Sequence, residues 1–88
     1  MTQQEFDKLF KNALTDIIIN YNIHKDSESP LRIGQTTFNV LHKIFSKYDE
    51  KYFIDICGTT AVDPFYNDMN TKTFIIETFK YFKNLLTK

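Results

Sequence analysis

The side chains of this sequence best suited to chemistry fall in two short stretches. "LRIGQTTFNVLHK" carries Arg32, Gln35 and Asn39, and "GTTAVDPFYND" carries Asp63, Tyr66 and Asp68. Arg32 is the single arginine among eleven Lys and Arg residues. Its planar fork binds a carboxylate or phosphate in two places, which an ammonium group cannot do. Two uses follow. The groups can hold one another, with Arg32 reaching across to Asp63 or Asp68 and fixing the second stretch to the first. Alternatively, Arg32, Gln35, Asn39, Tyr66 and Asp68 can supply charge, hydrogen bonds and a stacking surface to an outside partner or ligand. On a helix Arg32, Thr36, Asn39 and Lys43 form one polar stripe, which an ordinary solvated face also explains. Gln35 lies near the apolar face and needs hydrogen-bond partners, for which the backbone of residues 58–63 is the natural source.

Catalytic patterns do not emerge. Cys57 is the sole cysteine, has no accompanying base motif, and reads as a small buried hydrophobe. His24 and His42 lack metal-ligand spacing with Cys57 or with a carboxylate cluster. Two glycines are too few for a phosphate-cradling loop. The carboxylates form no recognisable acid–base pair. The expectation is a protein that is not an enzyme, with no catalytic residues, no metal and no cofactor.

Helices must position the two stretches. Thr2 and Glu5 have capping-box spacing. Phe6, Leu9, Phe10, Ala13, Leu14, Ile17, Ile18 and Tyr21 then recur every three or four residues, which predicts a helix over about 3–21. Ser29 and Pro30 read as N-cap and first helical residue of a second helix ending near Ser46 or Lys47. Its inward face is Leu31, Gly34 or Gln35, Phe38, Leu41, Phe45 and Tyr48. Gly34 inside that helix costs about 1 kcal/mol against alanine and marks close approach of another backbone. Asp49 caps a short third helix turning Tyr52, Phe53 and Ile56 inward, with a strand over "YFIDIC" as the competing reading. Gly58 supplies its stop. A last helix runs from about 71 to 86, capped by Asn70 or Thr71. Between them, Asp63-Pro64 predicts one helical turn over "DPFY" with Phe65 turned to the core. Asp68 caps a further turn or meets a base.

The sum is an all-α domain over residues 1–88: a bundle of three long helices and one short helix, with an ordered loop at 58–70. At this length net stability is about 4–13 kcal/mol. A formal net charge of zero and a pI near 6.7 disfavour nucleic acid as a partner, since phosphate neutralisation needs a basic surplus. The polar start "MTQQEFDK" and the short apolar runs predict no signal peptide and no membrane span, hence a cytoplasmic protein.

"LRIGQTTFNVLHKIF" followed by "DICGTTAVDPFYND" resembles a family of small uncharacterised proteins of bacteria and their phages. The shared pattern is R-x-G-Q, F-N-x-L, G-T and D-P-F-Y-x-D. It falls here on Arg32, Gly34, Gln35, Phe38, Asn39, Leu41, Gly58, Thr59, Asp63, Pro64, Phe65, Tyr66 and Asp68. The resemblance implies a phage or mobile-element setting in a bacterial host rather than a chemistry. With five tyrosines and nine phenylalanines available as anchors, the expected function is a non-enzymatic protein that docks on a host or defence protein and blocks it. The alternative is an oligomeric protein that sequesters a nucleotide signal.

Overall fold

A computed structural model describes residues 1–26, 32–57, 62–65 and 67–87. Within these, four α-helices occur in order: α1 (Gln3–His24), α2 (Ile33–Phe45), α3 (Glu50–Ile56) and α4 (Thr71–Leu86), with a 3-10 turn at Asp68–Asn70 before α4. The described residues contain no strand, so the competing reading of "YFIDIC" is settled as helix. No helix among them is long and apolar enough to cross a membrane.

The caps explain most of the boundaries. At α1 the Thr2 hydroxyl accepts from the Glu5 amide, and the Glu5 carboxylate accepts from the Thr2 amide at 2.8 Å. These bonds to Thr2 hold the Glu5 carboxyl below its usual pKa. The Asp49 carboxylate accepts from the Tyr52 amide and starts α3. The second helix departs from expectation. Its N-cap is Arg32, so it begins at Ile33, and Ser29, Pro30 and Leu31 lie outside the described residues.

The helices bury Phe6, Phe10, Ala13 and Ile17 from α1, Leu41 and Phe45 from α2, Phe53 from α3, and Phe74 and Phe82 from α4. Aromatic rings dominate this core. Phe45 stacks on Phe82 at 4.8 Å, and Phe10 meets the edge of Phe79 at 5.0 Å. The Met1 amino group donates to the Leu86 carbonyl at 2.9 Å. The start of α1 therefore lies beside the end of α4, and the two helices run antiparallel. Tyr48, expected inward by periodicity, is exposed, and so is Ile18 from the apolar stripe of α1.

Candidate functional site

Three places matter: the corner where the two polar stretches meet, a polar groove between α1 and α2, and an apolar groove between α1 and α4.

At the corner, Arg32 does reach across the fold. Its guanidinium donates to the Phe65 carbonyl at 2.5 Å, and its Nε stands 3.9 Å from Asp68 Oδ1. The fork is thus divided between a carbonyl and a carboxylate instead of gripping one carboxylate with both arms. The two side chains are 47% and 41% exposed, so the ion pair itself contributes little, about 0–1 kcal/mol. A stronger bond lies beneath it. Asp68 Oδ1 accepts from the Gly34 amide at 3.0 Å. That amide belongs to the first turn of α2, where no intrahelical acceptor exists. Asp68 therefore caps α2 from 34 residues away. Gln35 completes the local half of the cap, its side-chain oxygen accepting from the Arg32 amide at 3.1 Å. Gln35 thus brackets its own helix; residues 58–61, part of its expected partner, lie outside the described residues.

Gly34 permits this corner. A Cβ there would sit 2.0 Å from the Pro64 carbonyl oxygen and 2.8 Å from Asp68 Oδ1. Pro64 is fully buried. Asp63 is buried too, and its carboxylate accepts from the Phe65 amide at 2.8 Å, while its backbone carbonyl accepts from Asn70. This side-chain turn displaces the helical turn expected at "DPFY". Asp63, Pro64 and Phe65 are not helical, and Tyr66 lies outside the described residues. Phe65 is half-buried, its ring 5.9 Å from that of Phe38.

Of the residues expected to form a site, Arg32, Gln35, Asp63 and Asp68 are engaged in holding this corner. Asn39 stands apart. It is exposed and lines the groove of about 280 Å³ between α1 and α2, with Asp16, Asn20, His24, Thr36 and Lys43. Thr36 is buried there and its hydroxyl has no hydrogen-bond partner.

Other candidates for chemistry have structural duties. The Asp49 carboxylate accepts from the Tyr81 hydroxyl, which holds its pKa low and raises that of Tyr81. Tyr52 shares a 3.0 Å hydrogen bond with buried Thr78, and burial pushes its pKa up to about 12. His42 contacts Glu50 at 3.0 Å and packs against Phe38 and Phe53. Cys57 corrects an expectation: it is exposed, not buried. It is the C-cap residue of α3, one position past the inward-facing Ile56. Partial burial of the thiol and the charge of Asp63 raise its pKa, which disfavours the nucleophilic thiolate. No three His, Cys, Asp or Glu side chains among the described residues group closely enough to hold a metal ion.

The α1–α4 groove was invisible in the sequence. It is a shallow open groove of about 580 Å³, lined by Phe10, Leu14, Ile75, Ile76 and Phe79, with Asp7, Lys11, Lys80 and Lys83 around it. Ile76 is 42% exposed. On α1, Asp7, Lys11, Leu14 and Ile18 share one face, and Ile18, 61% exposed, carries that face beyond the groove.

Comparison of the chain with protein-family models, curated proteins and solved structures found no match.

Proposed function

We propose that this protein is a non-enzymatic binding protein of a phage or mobile element, which docks on a host or defence protein and blocks it. The observation that carries the docking is the uncovered groove between α1 and α4. An apolar floor left open between two helices whose remaining phenylalanines are buried in the core is a surface suited to a partner. The phage or mobile-element setting rests on the sequence resemblance alone. The polar corner supports this assignment indirectly. Its charged groups bind one another and the backbone, so binding falls to the groove.

Site-specific photocrosslinking tests the reading. A photoreactive residue replaces Ile76 in the groove or, as a control, Ile54, an exposed apolar residue of α3. In a bacterial lysate, position 76 should yield a discrete adduct that position 54 does not. Equal adducts at both positions, or none at 76, would contradict partner docking through the groove.

A second reading, nucleotide-signal sequestration by an oligomer, draws support from the α1–α2 groove. Asn39 and Lys43 stand there beside the unpartnered Thr36 hydroxyl. Arg32, Gln35 and Asp68, three other groups that reading requires, do not line it, and Tyr66, the fourth, lies outside the described residues. Thermal shift against nucleotides separates the two. A ligand at a hundred times its dissociation constant adds about 2.7 kcal/mol, whereas no shift leaves only protein docking.

A further inference from the structure

The charge around the α1–α4 groove narrows the partner. Lys11, Lys80 and Lys83 flank the apolar floor, against a single carboxylate, Asp7. The chain as a whole is neutral, so this is a local concentration of positive charge. Among the described residues, no carboxylate lies within ion-pair distance of these three lysines. The Lys83 ammonium instead sits 5.2 Å above the Phe79 ring, at the edge of the floor.

The dimensions favour a helix. On α1 the lining runs from Asp7 to Leu14, and on α4 from Ile75 to Lys83. At 1.5 Å rise per residue these are walls of about 10 and 12 Å, or two helical turns. An amphipathic helix places anchors at i, i+3 or i+4, and i+7, which spans about the same length. Ile18 offers a further apolar contact past the end of the groove. A second copy of this chain fits poorly, because a two-fold contact through the groove would set lysines against lysines. A flat anionic lipid surface meets a concave floor less well than a helix does.

We propose that the α1–α4 groove binds an acidic amphipathic helix of the partner, with apolar side chains on Leu14, Ile75, Ile76 and Phe79 and carboxylates against Lys11, Lys80 and Lys83. This rests on the docking reading above and specifies its partner. The probe is a two-to-three-turn helical peptide with leucines at i, i+3, i+4 and i+7 and glutamates elsewhere. A matched peptide carries lysines in place of the glutamates. Binding is followed by amide chemical shifts of the labelled protein. The acidic peptide should shift the amides of Phe10, Leu14, Ile76 and Phe79, and bind at least tenfold more tightly than the basic one. The preference should shrink as salt rises. Lys80→Glu with Lys83→Glu should reverse it while leaving the melting temperature within a few degrees.

Equal binding of both peptides, or shifts located elsewhere, overturns the proposal. So does protein that elutes as a dimer through this face, or that prefers anionic vesicles to the peptide. If the peptides fail but the adduct at position 76 forms, the acidic helix falls and partner docking stands. If the acidic peptide binds in the groove but no adduct forms, the surface is right and the cellular reading is not.

Discussion

Gly34→Ala should destabilise this protein, against the usual sign of that substitution in a helix. Alanine normally gains about 1 kcal/mol over glycine in a helix interior. Here the new methyl would stand 2.0 Å from a backbone oxygen, that of Pro64, which no side-chain rotation relieves. The segment carrying Pro64 and Asp68 must move off α2. The Gly34–Asp68 bond then breaks, and a hydrogen bond to a charged group contributes about 1.5–3 kcal/mol. Displacing fully buried Pro64 and the Phe65–Phe38 contact adds about 1–2 kcal/mol, at 25 cal/mol per Å² for about 40–80 Å² of apolar surface. Subtracting the helix gain leaves a loss of about 1.5–4 kcal/mol. For a domain of this size each kcal/mol moves the midpoint by about 4–8 °C, so the drop should be roughly 6–30 °C. Thermal unfolding followed by circular dichroism measures it. A double-mutant cycle with Asp68→Ala sharpens the test, because once Gly34→Ala has displaced the loop, losing Asp68 should cost almost nothing more. An unchanged or higher midpoint for Gly34→Ala, or strict additivity with Asp68→Ala, would refute the close docking of loop on helix.

Arg32→Ala, which removes the bond to the Phe65 carbonyl, should lower stability by about 1–2 kcal/mol, and Arg32→Lys by less; denaturant titration reads both. Phe82→Ala, deep in the aromatic core, should cost about 3–5 kcal/mol and lower the thermal midpoint by more than about 10 °C, read by circular dichroism. Tyr52 has a raised pKa, so folding favours its protonated form. Its contribution is complete below the unfolded value near 10 and disappears as pH rises to about 12. Tyr52→Phe should flatten that alkaline fall while lowering stability near neutral pH by about 0.5–1.5 kcal/mol through the lost Thr78 bond; melts across pH check both.

Local signals in the sequence located elements well. The Thr2–Glu5 box, the Asp49 cap and the periodicity of 71–86 each act within a turn or two, and each element appears where those residues place it. Gly34 told correctly of a close approach, because only a missing side chain explains glycine there. What escaped was non-local. The start of α2 is fixed partly by Asp68, so Ser29-Pro30 could not report it. Asp63 turns its carboxylate onto the Phe65 amide, where N-cap statistics pointed to a helix. Periodicity put Ile18 on an apolar face but could not say whether another element covers that face. The groove escaped for the same reason, since its walls are separated by about sixty residues of chain.

The central claim is that binding resides in the α1–α4 groove while the Arg32 corner holds the fold. The most direct measurement is calorimetric titration of the acidic helical peptide into Ile76→Glu, with Arg32→Ala alongside. The account predicts that Ile76→Glu loses at least tenfold in affinity with its melting temperature nearly unchanged, and that Arg32→Ala binds almost normally but melts earlier. Full affinity in Ile76→Glu, together with lost affinity and unchanged melting in Arg32→Ala, would contradict it.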